Sequence, residues 1–427
     1  MYTERIKEKK FPWGGRVFAA RYPAYGSVSI VGSVVGGSRL SGSDEISKIH
    51  AEMLLEGTRR RGKKEIQILL DDMGASLSFG HTSDRLCFSA RARTAHLARL
   101  LALVAEILRE PSFPRAELAV LKQREEANLS MEEQDPNTQT TIGITGLLFS
   151  KKHPNRKETT KEARAALKKV TSKSLQQCHA KMLSKKSFVL AVAGDVAPQK
   201  VFALAQKEFA TLPDKTVTLP KFAKALPIKP RRIVTPVLEK ASITYSAGIV
   251  LGITKNHPDY PALMLGLQIL GSAGGFVGRL MRTVREQEGL TYGTYSYIPD
   301  SSISNTTDGY IEVWATFAPQ LFEKGRAAVL REVKKIADEG VTEEEVRKHR
   351  ELFAARSKVQ LSSSKAFAGA AHGIGVEGRK VSYLEEFPRR VLKLTAKEVN
   401  RALKKYLVLS KLSESAAGPI AKNALTS

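Results

Sequence analysis

The sequence predicts an α+β protein built from two homologous domains. Three observations carry that reading. Short segments of alternating apolar residues, the mark of half-buried strands, are interleaved with segments whose apolar residues recur every three or four positions, the mark of amphipathic helices. The same order of segments occurs twice, offset by about 215–230 residues. Between the copies lies a stretch with four prolines. At 427 residues the chain also exceeds what one compact core usually holds.

The first copy begins with SVSIVGSVVGG (27–37), an alternating Val/Gly-rich strand. SGSD (41–44) supplies helix-capping residues, and helical spacing follows to about Leu55. KKEIQILLDDMGA (63–75) carries a helical apolar stripe and ends at Gly74. SLSFGH and LCFSARA read as a hairpin-like pair of strands. TAHLARLLALVAEILRE (94–110) is a strongly amphipathic helix stopped by Pro111. Another helix runs from about Pro114 to a break at Asp135-Pro136, and SFVLAVAGDV (187–196) is a closing strand.

The second copy repeats the plan. ASITYSAGIVLG (241–252) is a strand and YPALMLGLQILG (260–271) a helix. LTYGTYSYIP and DGYIEVWATF are strands, and FEKGRAAVLREVKKIADEG (322–340) is the long amphipathic helix. VTEEEVRKHRELFAARSKVQL then parallels FPRAELAVLKQREEANLS of the first copy. The expected boundaries are 1–209 for the first domain, 210–232 for an extended proline-rich linker and 233–427 for the second domain. A tandem repeat of this size suggests halves facing a shared cavity.

Composition narrows the function classes. Hydrophobic residues make up 42% and charged residues 26%, as in a globular protein. No apolar run is long enough to cross a membrane, and MYTERIKEKKFPWGG lacks the apolar core of a signal peptide. Cys87 and Cys178 form no CxxC pair and read as buried reduced thiols, so a cytoplasmic location is expected. The net charge of +25 raises the question of nucleic acid. Lys and Arg are, however, scattered among Glu residues on helix faces, and no zinc-finger spacing, aromatic RNA-binding strand or basic arm is present. Nucleic acid is therefore not the expected partner. An acidic peptide or protein fits the charge.

Catalytic patterns are scarce. A helical zinc peptidase site needs two His on one face with a carboxylate base between them. No two of the histidines at 50, 81, 96, 153, 179, 257, 349 and 372 are four apart. His50 and Glu52, two apart in SKIHAEMLLEGT (47–58), point to different faces of a helix. No GxSxG turn and no phosphate-binding loop is found, and GSAGG (271–275) ends a helix instead of following a strand. The segment 271–297 stands out all the same. Arg285 lies near a helix end, Gly289 is the expected stop, and Tyr292 follows in a strand. Together a guanidinium and a phenol can bind or polarise a peptide carbonyl, although such a pair taken alone is more often structural.

A family resemblance emerges from the composite of GSR (37–39), AEMLLEGT (51–58), DDMGA (71–75), DP (135–136), VAGDV (192–196), GGFVGRL (274–280), REQEGLTY (285–292) and GVTEEEV (340–346). In order and spacing these resemble the insulinase/pitrilysin family, the inverted HxxEH zinc peptidases, over nearly the whole chain. The resemblance implies two domains of the mitochondrial processing peptidase-like metallohydrolase fold, each an α+β sandwich, arranged as a half-clamshell. Setting the family motif on this sequence places its first His on Lys48, its general-base Glu on Ala51, its second His on Glu52 and its third ligand on Asn128. All four are departures. No zinc is therefore expected on this chain.

Arg285 and Tyr292, by contrast, match the family's Arg/Tyr pair, which holds the substrate carbonyl near zinc. Some small bacterial members divide these parts between subunits, and this chain resembles the one without metal. The resemblance then implies a heterodimer with an HxxEH-bearing homologous subunit that carries Zn. Arg285 and Tyr292 would be catalytic, Gly274 and Gly275 would border a peptide substrate, and Lys48, Ala51, Glu52 and Asn128 would mark the degenerate zinc site. The alternative is an inert scaffold or peptide-binding protein of the same superfamily.

Overall fold

The computed structural model describes residues 2–222, 225, 229–272 and 277–420. It separates into two compact units. The first comprises 1–127, 161–221 and 357–386, and the second 128–160, 222–356 and 387–427. The units therefore depart from the simple halves of the sequence. Each contains one segment contributed by the other half.

The first unit holds a six-stranded sheet of β1 (Ile6–Lys10), β2 (Arg16–Arg21), β3 (Ser27–Val35), β4 (Ser76–His81), β5 (Arg85–Arg93) and β6 (Val189–Gly194), in the order β1-β2-β6-β3-β5-β4. Only β2 and β6 run parallel. The second unit holds β7 (Arg232–Pro236), β8 (Ile243–Val250), β9 (Gly293–Tyr297), β10 (Tyr310–Phe317) and β11 (Ser413–Gly418), in the order β7-β11-β8-β10-β9. Again one pair is parallel, β7 with β11. Leaving out the edge strand β1, the two sheets have the same order and the same single parallel pair. The repeat legible in the sequence is thus a repeat of topology.

Alternation explains the layers. In the second unit Ile243, Tyr245, Ala247 and Ile249 of β8 and Ile311, Val313, Ala315 and Phe317 of β10 point to one face and are buried there. The helices Tyr260–Gly271, Phe322–Glu339 and Ala396–Tyr406 complete that core. The helix Pro136–Leu148 lies against β7, β8 and β11, and Thr140 donates to the backbone carbonyl of Thr244. It approaches closely because Gly248 leaves room for Ile144 and Leu148. In the first unit the helix Ser364–Val376 packs on β2, β3 and β6, with Phe367, Ala368, Ala371 and Ile374 against Phe18, Val189 and Ala191.

Several expectations change. Asp135-Pro136 is a break and also a beginning, because Asp135 caps the next helix through the amides of Asn137 and Thr138. The expected linker is not wholly free. Asp214 pairs with Lys185 and Lys186, and Lys185 N donates to Pro213 O, which ties its start to the first unit. Its end, Arg232, is already the first residue of β7. Cys178 is buried but Cys87 is only partly so, and both are free thiols.

Candidate functional site

Residues 48–52 belong to the helix Asp44–Met53, which starts at Ser43, whose hydroxyl accepts from Ile46 N. Lys48 and Glu52 are one turn apart and so share a side. Facing them is the helix Arg115–Glu133. The Lys48 ammonium donates to the Glu125 carboxylate, and Arg124 donates to Glu52. The two helices are thus joined by two ion pairs of opposite polarity. The Glu125 side chain is only 1% exposed, so this ion pair is largely shielded from water on the carboxylate side. Ala51, at the base position, is buried and has no group that can move a proton. Asn128 lies one turn beyond Arg124 and Glu125 on the same helix and brings a neutral amide.

These residues do not fit zinc. Zinc needs three or four lone-pair donors converging on one point, and here one of the four positions is an ammonium and another a methyl. Among the described residues no group of three or more His, Cys, Asp or Glu side chains is placed to hold a metal ion. Arg124 and Glu125 were not singled out from sequence. Their signal was present, since residues one turn before Asn128 carry the charges opposite to Glu52 and Lys48.

His50 is a core residue. It is 1% exposed, and its Nε2 lies 3.1 Å from His179 Nδ1, whose Nε2 is 2.7 Å from Leu108 O. The carbonyl can only accept, so His179 is protonated at Nε2 and His50 donates to its Nδ1. Burial, then the neighbouring His179 and His81, holds His50 well below the ordinary histidine value. Burial likewise lowers His179 to about 4.

Arg285 lies in a seven-residue π-helical stretch, Met281–Gln287, anchored by buried Met281 and Val284. The chain turns at Gly289, whose φ of 62° is left-handed, and Leu290 N donates to Val284 O to close the turn. Thr291 fixes the exit. Its hydroxyl accepts from Gly293 N at 3.1 Å and lies 2.6 Å from Thr316 O. The structure then brings the sequence-predicted pair together, with the Arg285 guanidinium carbon 5.4 Å from the centroid of the Tyr292 ring. Tyr292 is 86% exposed. It stands just outside the strand instead of within it, because Gly293 is the first residue to pair, opposite Thr316. An exposed phenol beside a guanidinium offers donors of two geometries to one acceptor.

Gly274 and Gly275 lie outside the described residues. Their flanks are joined, Ser272 N donating to Val277 O, and Ser272 Oγ accepts from Arg356 at 2.8 Å.

Comparison with known proteins bears on this arrangement. Residues 19–143 match the profile of insulinase (peptidase family M16), and 169–353 match that of the peptidase M16 inactive domain. The chain belongs to the insulinase family. Among curated relatives, the non-peptidase homolog YmxG of Helicobacter pylori is 21% identical over 381 residues, covering 88% of this chain and 86% of that protein. A crystal structure of a peptidase M16 inactive domain from Pseudomonas fluorescens superposes with a TM-score of 0.87 at 26% identity, covering 97% of this chain and 98% of that one. A protease from Helicobacter pylori gives a TM-score of 0.85 at 17% identity, covering 97% and 99%, a likeness of fold alone. The duplicated sheets are therefore the two domains of an insulinase-family fold. The residues on which the family's HxxEH motif is expected to fall, Lys48, Ala51 and Glu52, pair with protein groups or pack in the core.

Proposed function

We propose that this insulinase-family chain is the non-metal, substrate-positioning subunit of a two-chain peptidase that acts on peptides. An HxxEH-bearing homologous subunit would supply zinc and the base, and with them the activated water. On this chain Arg285 and the Tyr292 hydroxyl would donate to the scissile carbonyl and to the negative charge that grows on it. The observation that carries the reading is a contrast. The metal positions are engaged in ion pairs and core packing, whereas Tyr292 is held exposed beside Arg285 by a capped turn and a pinned strand entry. Free thiols at Cys87 and Cys178 are compatible with a cytoplasmic complex. Among the described residues no helix is long and apolar enough to cross a membrane.

A second reading is favoured by the description of the matched C-terminal profile as an inactive domain. In it the chain is a scaffold without turnover. Co-purification with an HxxEH-bearing homologue, followed by zinc content and peptidase assays of each chain and of the mixture, separates the two. The first reading expects zinc on the partner alone and activity only in the mixture. Tyr292→Phe should then lower kcat by about 10²–10³-fold while assembly is unchanged. Unchanged turnover in that variant would leave the scaffold reading.

A further inference from the structure

The second sheet has one face roofed only in part. The helix Pro136–Leu148 covers β7, β8 and β11. Towards the other edge the outward residues of β9 and β10 are Gly293, Tyr295 and Tyr297, and Tyr310, Glu312, Trp314 and Thr316. Of these, Tyr295, Tyr297, Trp314 and Thr316 remain partly exposed. Tyr295 and Trp314 sit directly opposite each other in the ladder, with ring centroids 5.6 Å apart and planes 11° from parallel. The Tyr295 hydroxyl and the indole of this shelf reach over buried Gly293, where a Cβ would meet them at 3.4 and 3.6 Å. The shelf thus begins one residue after Tyr292.

The indole is held from the side by the helix Pro136–Leu148, and the neighbouring tyrosines Tyr297 and Tyr310 are held by Glu312. Trp314 Nε1 donates to Asn137 Oδ1 at 3.3 Å, and the Thr244 hydroxyl donates to the same oxygen. Glu312 is buried and accepts from Ser246 at 2.7 Å, from Tyr310 and from Tyr297. Burial raises its carboxyl, while the three hydroxyl donors oppose that rise. A cross-strand aromatic pair could serve the sheet alone. In the other sheet the directly opposite aromatic pair, Phe79 with Phe88, lies one rung away on the face that carries buried Phe88, and the face turned the other way has none. There the facing β4 and β5 residues are Ser78 and Ser89, with hydroxyls 2.9 Å apart.

From the partial exposure, the stacking of Tyr295 on an indole tied to Asn137 and the continuity with Tyr292, we infer that Tyr295 and Trp314 form a subsite for an aromatic side chain of an extended peptide. This rests on the reading of Arg285 and Tyr292 as the groups that hold the peptide carbonyl. Two fixed aromatic rings give a large contact area at low ordering cost, so a Phe, Tyr or Trp close in sequence to the held carbonyl is selected.

The test measures binding, so that it stands apart from turnover. Two fluorescein-labelled ten-residue peptides, identical except for a central Phe or Ser, are titrated against the full chain by anisotropy. The Phe peptide should bind at least tenfold more tightly. The preference should fall to within about twofold in Trp314→Leu and in Tyr295→Ser, and persist in Trp314→Phe. As a readout that leaves the shelf intact, Trp13→Phe makes Trp314 the sole tryptophan, since the chain has two. Its emission should change saturably with the Phe peptide at the same midpoint. Equal binding of both peptides, a preference that survives Trp314→Leu, a silent Trp314, or self-association that buries Trp314 without peptide would each overturn the subsite. Loss of the Arg285–Tyr292 reading would appear separately, as unchanged kcat in Tyr292→Phe with the Phe preference intact.

Discussion

At the residue scale, the region around Lys48 and Glu52 is governed by ion pairing. Lys48 and Glu125 form a cation-to-carboxylate contact between the helices Asp44–Met53 and Arg115–Glu133. Removing the cation takes one ion-pair partner from a carboxylate that is 1% exposed, so Lys48→Ala should destabilise the chain by about 1–3 kcal/mol. Replacing both partners, as in Lys48→Met with Glu125→Leu, should recover most of that, which urea denaturation measures directly. A metal chelator should leave the midpoint unmoved. The buried histidines set the pH response. His179 ionises at about 4 when folded and near 6.5 when unfolded, so the unfolded state binds more protons between these values. The contribution is intact above pH 7 and is lost as pH falls from about 6.5 towards 4. For this pair the loss is of the order of 3 kcal/mol, and His179→Gln should flatten the fall measured in urea at pH 7, 6 and 5.

At the scale of elements, the Arg–Tyr geometry depends on one turn. Gly289 adopts a left-handed φ of 62° with open space around a Cβ, so Gly289→Ala tests backbone strain without a clash. It should cost about 1 kcal/mol, and Gly289→Asn less. If the turn positions Tyr292, turnover of the assembled complex should fall in Gly289→Ala by more than the stability loss explains. Most elements on the way to this turn are legible in sequence, because their apolar spacing is strong, as in Leu97–Arg109 and Tyr260–Gly271. The exceptions have physical causes. The strand β11 reads SESAAG, with no β-branched residue, because the helix Pro136–Leu148 lies so close on it that a Cβ at Gly143 would be 2.3 Å from Ser415 Oγ. Its Glu414 is decided by tertiary partners, Arg326, Arg232 and the Tyr245 hydroxyl, which no local pattern reveals. The candidate site divides the same way. Arg285 and Tyr292 are close in sequence and share a turn, so their pairing is readable. Lys48 with Glu125 spans 77 residues and needs the fold.

At the scale of the whole molecule, the unit boundaries decide what can be separated. Residues 128–160 complete the second unit and 357–386 complete the first. Chains 1–221 and 222–427 expressed alone would each lack a helix that packs on its sheet, Ser364–Val376 in one case and Pro136–Leu148 in the other. Each should be insoluble or molten by near-ultraviolet circular dichroism, whereas co-expression should recover ordered protein. Independent folding of either fragment would refute this.

The exchanged helix also bears on why a metal-less half persists. Asn137, which holds the Trp314 indole, and Thr140, which bonds to β8, are encoded in the half that matches the insulinase profile. That half cannot be discarded as an obsolete catalytic domain without stripping the roof from the half that carries Arg285 and Tyr292. Duplication here has produced copies in mutual custody. Loss of chemistry in one is tolerated, and loss of its fold is not.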